Sequence, residues 1–372
     1  MGRIYERMSN NRMKTHEQML FALLRASIHE KETEASYFKN VSEKDWEACI
    51  QLAQSQGVMA LAWDGILRLP TYLHPPVEIK IPWGIKVEVQ EKKHLRHCKA
   101  IQEISSFYQK HHIQTMMLKG VGLSTLYPIP SHREGGDIDI YTYSGNETMS
   151  DKEANQLADT LMEQQGQEID VKKTPKHSLF YYKGIPVENH KTFTNVHSYK
   201  IANQIEALLK KHMNPQTASL PTGEIHIPSP MFNTLFVFFH AMQHYGSGLS
   251  LHHLCDWAII LKNYGMHFPK ELTDKRLLKA ASALTSLCNR LLGTSIEIEE
   301  EKKFADVILK EMLHTRYYKR PLPKSKLKAF IYKIKRFVYN QKLKKSIFNH
   351  SPWKSFFFSV VYHVAHPKKI FN

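Results

Sequence analysis

The sequence predicts an α+β, or mixed α/β, protein: a small mixed-sheet core over about residues 111–195, set between helical regions on both sides. Three observations carry this. Apolar residues recur at helical spacing through most of residues 1–110. Asp137-Ile138-Asp139-Ile140-Tyr141 instead alternates charged and apolar side chains with period two, the mark of a half-buried strand. Beyond Ile201 the helical period returns and runs to about Leu313.

Taken in order, residues 16–32 (HEQMLFALLRASIHEKE) form the first amphipathic helix. Ser42-Glu43-Lys44-Asp45 reads as a capping box, with a hydroxyl at the cap and a carboxylate three residues on. The helix it opens passes through Trp46, Ile50, Leu52 and Ala53 and stops near Gly57; another runs from Val58 to about Leu69, before Pro70. Prolines across 70–84 break the pattern, and a long helix resumes over about 87–112. At Ile113 the texture changes. Thr115-Met116-Met117-Leu118 is a short apolar strand ending at Lys119-Gly120, and the Asp137 strand follows. Residues 151–165 return to helix, and residues 178–182 and 187–190 flank Lys183-Gly184 as a hairpin. The frame is therefore an N-terminal helical region (1–110), the sheet core (111–195), a C-terminal helical domain (196–320) and a tail (321–372).

The chain has 372 residues, 42% apolar and 23% charged, which is ordinary globular composition. No run of 18 apolar residues is present, and Met1-Gly2-Arg3-Ile4 opens no apolar leader. Cys49, Cys98, Cys255 and Cys288 are far apart and form no CxxC, which reads as reduced thiols in a cytoplasmic protein. The net charge of +16 is localised. Residues 312–372 hold 15 Lys and Arg and no Asp or Glu, which leaves 36 basic and 35 acidic residues in the rest. A neutral body with a cationic appendage is expected, rather than a uniformly basic nucleic-acid binder.

The chemistry centres on residues 116–141, MMLKGVGLSTLYPIPSHREGGDIDIY. On a strand, Asp137 and Asp139 share one face while Ile138 and Ile140 point into the core. Neighbouring carboxylates repel, and burial worsens the repulsion, so a compensating cation is expected. Magnesium binds through one or two carboxylates plus substrate phosphates. Gly120, without a Cβ, lets a phosphate approach the backbone, and Lys119 can set a point charge on it.

Residues 118–140, LKGVGLSTLYPIPSHREGGDIDI, resemble the signature of the polymerase-β-like nucleotidyltransferase superfamily: a glycine motif after a strand, then an Asp-x-Asp strand. The closest variant is a bacterial family of uncharacterised nucleotidyltransferases. Trp46 with Ala53 and Gly57-Val58 resembles its N-terminal helical part, and Val187-Glu188-Asn189-His190 its V-[DE]-x-H strand. His240, His244, Leu251 and Asp256-Trp257 resemble its C-terminal helical signature, so the resemblance covers roughly residues 40–265. It implies that Asp137, Asp139 and Glu188 hold Mg²⁺, with Mn²⁺ as a substitute, in a two-metal site. It further implies that Lys119, Gly120 and Arg133 bind the nucleotide. The reaction implied is attack of an acceptor on the α-phosphate of an NTP, ATP among them, with release of pyrophosphate. The acceptor is a small molecule, a sugar-containing substrate or a protein, with a hint of bacterial surface polysaccharide biosynthesis. Two departures stand out. Lys119-Gly120-Val121 lacks the superfamily's usual serine, and Pro186 restricts the Glu188 strand to an edge or to a start at Val187. Arg133 and His132, in the loop before the Asp137 strand, either face the triphosphate or stand solvated. Two other readings are a non-catalytic nucleotide-binding or scaffold protein that keeps the fold, and a transferase that modifies RNA held by the basic tail.

His240 and His244 stand i, i+4 on a helix, a spacing that suits zinc, but HAMQH lacks the glutamate of a metalloprotease motif. They read as buried histidines hydrogen-bonded within the helical domain, one of them alternatively facing the nucleotide. His252-His253 and Asp256 do not form a phosphohydrolase dyad, and Asp256-Trp257 reads as helix packing. In the tail, residues 324–345 interleave lysines with Leu327, Phe330, Ile331, Ile334, Phe337 and Val338, with Phe356-Phe357-Phe358 and Val360-Val361 as further anchors. Such a helix suits an anionic membrane surface, which would make the protein peripheral on the inner face of the membrane. Simple packing on the body and nucleic-acid binding are the rival roles for it.

Overall fold

The computed structural model describes residues 13–146, 148–171, 175–194, 200–315 and 321–348. The centre is one mixed six-stranded sheet in the order β3-β4-β2-β1-β6-β5. Its strands are β1 (Ile113–Met117), β2 (Ile138–Ser144), β3 (His177–Tyr182), β4 (Ile185–His190), β5 (Gln216–Leu220) and β6 (Gly223–Ile227). Strands β1 and β2 are antiparallel, while β2 and β4 run parallel with Asp139 beside Glu188.

The local signals in the sequence produce their elements where expected. Helix α1 spans Thr15–His29. Helix α2 (Glu43–Ser55) opens on a capping box: the Asp45 amide donates to Ser42 Oγ, and the Ser42 amide to Asp45 Oδ2. Helix α3 (Met59–Leu67) follows. The β3–β4 hairpin turns at Lys183 and Gly184, both at positive φ (50° and 76°). That is the backbone a two-residue hairpin turn requires. Tyr182 and Ile185 close the turn, so Tyr181 and Pro186 form the next pair. The nitrogen of Pro186 then points away from β3, and pairing with β2 begins only at Val187. The proline therefore sits inside β4 without breaking a ladder bond.

Two elements depart from expectation. Prolines 75 and 76 do end the preceding turn, but helix α4 starts directly after them and runs Val77–Gln109 through Pro82. The segment around Pro82 is held by Trp83, which is fully buried and donates from Nε1 to the Met59 carbonyl. Tertiary packing offsets the amide hydrogen bond that proline removes. The stretch after Ile201 is not continuously helical. Between helix α7 (Lys200–Lys211) and helix α8 (Pro230–His244) lies the β5–β6 hairpin, and β6 joins β1 in parallel at Met116–His226. Its alternating residues, Ile225 and Ile227, are buried against the sheet core. The sheet therefore draws on residues beyond the 111–195 core.

Two apolar clusters flank the sheet. Ile138 and Ile140 pack with Val187, with Ile101 and Ile104 of α4, and with Ala158 and Met162 of helix α6 (Asp151–Gln164). The opposite face, through Met116, Leu118 and Tyr141, meets a helical cluster. That cluster is built from α1, α3, α8, helix α9 (Leu251–Tyr264), helix α10 (Lys275–Leu287) and helix α11 (Lys302–Leu313). Helix α5 (Val121–Ser124) is a single turn after β1. The odd positions of β2 thus look into the seam between sheet and helical body.

Helix α12 (Lys326–Ile347) carries the basic tail. Its C-terminal end docks: Ile347 and Phe348 are fully buried, and Tyr339 Oη donates to Glu311 Oε2 at 2.6 Å. Toward its N-terminal end Leu327, Phe330, Ile331, Ile334 and Val338 remain exposed. Phe356-Phe357-Phe358 and Val360-Val361 lie outside the described residues. All four cysteines are buried and free. Among the described residues, no helix is long and apolar enough to cross a membrane.

Candidate active site

The loop that delivers Asp137 is pinned residue by residue. His132, buried, lies between Asp64 Oδ1 (2.7 Å) and Glu91 Oε1 (2.8 Å). Burial alone would lower its pKa, but the two carboxylates outweigh that and raise it. Arg133 donates from Nε and Nη2 to Asp256 Oδ1 and Oδ2, both at 2.9 Å, and Tyr127 Oη donates to the same carboxylate at 2.6 Å. Glu134 Oε1 accepts from the Ala60 amide near the start of α3. Lys93 Nζ donates to the Gly135 carbonyl at 2.6 Å. Neither His132 nor Arg133 is therefore a solvated loop residue. Asp256 is a buried ion-pair partner rather than simple helix packing, whereas Trp257 does pack, with Nε1 donating to Thr285 Oγ1.

From this anchored loop the chain enters β2 with Asp137 and Asp139 on one face. Parallel pairing brings Glu188 alongside, and oxygens of Asp137, Asp139 and Glu188 lie within 4.8 Å of one another. The three carboxyls are not equivalent. Burial would raise Asp139, but Lys119 Nζ, 2.8 Å from its Oδ1, and His190 Nε2, 2.9 Å from the same oxygen, hold it well below the carboxylate range. Burial would raise Glu188 too, but its contact with His190, helped by the charge of Lys119, holds it below its ordinary value. Asp137 goes the other way: burial, then Asp139, raises it against the pull of Lys119.

A divalent cation fits this set on the structure's own terms. The second oxygen of Asp139, Oδ2, is buried and has no hydrogen-bond partner among the described residues. A buried carboxylate oxygen left in that state is costly unless something positive meets it. All three donors are hard oxygens, the chemistry magnesium and manganese prefer.

Lys119 and Gly120 follow β1 directly. The Leu118 amide donates to the Asp139 carbonyl, which sets Lys119 beside the carboxylates. Burial would lower Lys119, and Asp139 and Asp137 outweigh it, so it stays charged. Gly120 has φ 57° and ψ −121°, a region L-residues rarely adopt, and a Cβ there would stand 3.4 Å from the Asp137 carbonyl. Arg133 lines the same cavity but commits Nε and one Nη2 hydrogen to Asp256, so it meets a ligand only with the donors of Nη1 and the second Nη2 hydrogen.

The cavity has a volume of about 580 Å³ and is lined by both carboxylates and imidazoles. It is lined by Lys119, Gly120, Asp137 and Asp139 together with His240, His244 and His253. Burial pushes all three rings down, His244 to about 4. The side-chain hydrogen bonds expected of His240 and His244 are not present: among the described residues neither imidazole makes one.

Sequence reasoning named Asp137, Asp139, Glu188, Lys119 and Gly120, and the fold gathers them. It left His190 without a role, although the residue stands two after Glu188 on the same strand and so shares its face. His177, 3.2 Å from Glu188 but without hydrogen-bond alignment, and Lys176, pulled to about 8 by burial and by Lys119, carry no sequence signal. Asn155 on α6 was also missed. Its Nδ2 lies within 3.0 Å of Thr142 Oγ1, Asn189 Oδ1 and the His190 carbonyl, and it locks β4 to β2.

One solved structure, an antigenic nucleotidyltransferase-like protein from Paracoccidioides brasiliensis, is similar at 14% identity over 54% of this chain and 94% of that chain. Its TM-score of 0.36 is too low to carry an argument. No curated protein matches the sequence. The family model described as uncharacterised nucleotidyltransferase matches residues 42–293, a span that holds the anchored loop, the three carboxylates and the histidine-lined wall. A match over that much of the chain settles membership: the protein belongs to this family of nucleotidyltransferases.

Proposed function

We propose that this nucleotidyltransferase moves a nucleoside monophosphate from an NTP to a small-molecule, sugar or protein acceptor, with Mg²⁺ or Mn²⁺ held by Asp137, Asp139 and Glu188. The observation that carries the reading is the meeting of these carboxylates, with Asp139 Oδ2 buried and unmatched, at the mouth of the Gly120 turn. When bound, the cations would neutralise the phosphates and acidify the attacking hydroxyl. The chain's own groups do the rest. His190 and Lys119 fix the Asp139 carboxylate through one oxygen, and among the described residues the other has no hydrogen-bond partner and is free to ligate. Lys119 sets a positive charge beside the phosphates, and Gly120 admits them to the backbone. The acceptor oxygen forms a bond to the α-phosphorus, the bond from that phosphorus to the bridging oxygen breaks, and pyrophosphate leaves with the electron pair. Glu188, ionised at neutral pH, orients the acceptor hydroxyl and takes its proton. Most of the rate gain comes from positioning and charge stabilisation.

The exposed apolar stripe of α12, flanked by cationic residues, supports a second part of the proposal: attachment to an anionic membrane surface. A sugar acceptor is the form of the reaction that goes with surface polysaccharide synthesis.

The test is pyrophosphate release from each NTP with Mg²⁺ and a cell extract as acceptor source. Wild type is expected to transfer α-phosphate label to an extract component. Asp137→Asn and Asp139→Asn are expected to lose on the order of 100-fold or more in rate. Equal turnover by the two variants would overturn the assignment.

A further inference from the structure

The histidines that line the cavity have a chemistry of their own. His240 and His244 stand one helical turn apart on α8, and His253 enters from α9. Ring centroids are 4.7 Å apart for His240–His244 and for His244–His253, and 5.7 Å for His240–His253. One ligand-type nitrogen from each lies within 4.8 Å of the other two. Among the described residues, neither the His240 nor the His244 imidazole makes a hydrogen bond or an ion pair, although both residues line the cavity. A half-buried imidazole leaves a donor and an acceptor to be satisfied, and two such rings side by side are costly without a shared partner.

We propose that His240, His244 and His253 form a site for a borderline-soft divalent metal, with zinc as the reference ion, whose open coordination position faces the cavity. Three imidazoles with one open position are a recurring catalytic zinc set, whereas hard magnesium is directed to the carboxylates. The pocket therefore sorts two kinds of ion by ligand type.

The surroundings fit that use. The Ser250 amide donates to His253 Nδ1 at 3.2 Å, and Ser250 Oγ lies 3.0 Å from the same nitrogen. This leaves Nε2 as the ligand. With Nε2 on the metal the ring proton sits on Nδ1 and is donated to Ser250 Oγ, so capture shifts the tautomer and gives up the hydrogen bond that Nδ1 accepts from the Ser250 amide. A group that orients a ligand through its second nitrogen is the usual outer support of a metal-bound histidine. The three rings are neutral at neutral pH, the form that ligates. Asp256, near the same wall, is already taken by Arg133 and Tyr127 and does not compete as a fourth ligand. If the transfer reaction proposed above holds, the open position faces the space where an acceptor would enter, and a donor atom on the acceptor would fill it.

The site is tested by metal binding, independently of NTP turnover. Full-length protein stripped by chelator is titrated with Zn²⁺ and, separately, with Co²⁺, whose visible absorption reports a four-coordinate nitrogen-rich site. Wild type is expected to bind one equivalent with that spectrum. His244→Asn and His253→Asn, each tested alone and checked for an unchanged far-UV circular dichroism spectrum, should bind roughly 100-fold more weakly or not at all. Asp137→Asn and Asp139→Asn should retain the equivalent and its spectrum. No bound equivalent in wild type would overturn the site. So would an equivalent that survives both histidine changes, or one lost only with the aspartates. Loss of nucleotidyl transfer in the aspartate variants with cobalt binding intact would leave both readings standing. Absence of transfer in wild type with cobalt bound would remove only the reaction.

Discussion

Asp137 and Asp139 stand two residues apart on one strand face, yet their environments push them in opposite directions. Asp139 has Lys119 and His190 on one oxygen, and these outweigh its burial. Asp137 has burial and two neighbouring carboxylates, offset only in part by Lys119. The consequence for stability follows. At neutral pH the charge on Asp137 is unfavourable in the metal-free protein, so Asp137→Asn should raise the melting temperature by about 1–3 °C in chelator. Asp139→Asn should lower it, because Lys119 then loses its partner. Thermal melts at pH 7 with and without Mg²⁺ check this. Added Mg²⁺ should raise wild type past Asp137→Asn, and a drop in stability for Asp137→Asn in chelator would refute the electrostatic account. The two aspartates and their common face were legible in the sequence, because side-chain alternation on a strand is local. His190's role was not, because it depends on which strand lies beside β2.

Among the elements, the loop before β2 and helix α12 behave unlike what their composition suggests. Ser131-His132-Arg133-Glu134-Gly135-Gly136 looks like a mobile polar loop. It is held instead by Asp64, Glu91, Asp256, the Ala60 amide and Lys93, contributed by α3, α4 and α9. Helix α12 reads as a free appendage, but its last turn is part of the body through Ile347 and Phe348. Deleting it would strip buried residues along with the exposed stripe, so substitutions are the cleaner probe of membrane binding. Full-length protein should float with vesicles containing anionic lipid, and changing Phe330 and Ile334 to serine should cut the bound fraction several-fold, each change removing roughly 1.5–3 kcal/mol of burial. Equal flotation of the two proteins would end the membrane proposal. Salt-sensitive RNA binding lost in a variant that reverses tail lysines would favour the nucleic-acid role instead.

Across the whole molecule, the site lies in the seam between a sheet domain and a helical body, and Arg133–Asp256 ties the two together. Burial would raise Asp256, but Arg133 outweighs it and holds it below its ordinary value of 3.8. A carboxyl depressed in the folded state contributes stability that is present above the unfolded pKa and lost as pH falls through the folded one. Arg133→Met, which leaves Asp256 charged and buried, should cost about 3–5 kcal/mol at pH 7. The gap from wild type should narrow as pH falls, because the unpaired, buried Asp256 of the folded variant takes up a proton at higher pH than the paired Asp256 of folded wild type. Urea unfolding at pH 7, 5 and 3.5 measures both, and a gap that widens toward acid would refute the sign.

The sequence by itself determined what depends on neighbours along the chain: the capping box at Ser42, the turn at Lys183-Gly184, the alternation through Asp137 and Asp139, and the helical stretches around them. Only the tertiary structure decided what depends on residues far apart in sequence. It placed the β5–β6 hairpin beside β1, carried α4 through Pro82 by burying Trp83, paired Arg133 with Asp256 and closed His240, His244 and His253 on one cavity wall. The physical reason is range. A propensity or a period acts over one turn or one strand, whereas the charge and ligand geometry of a site are set by packing, which brings side chains from remote segments within hydrogen-bonding distance.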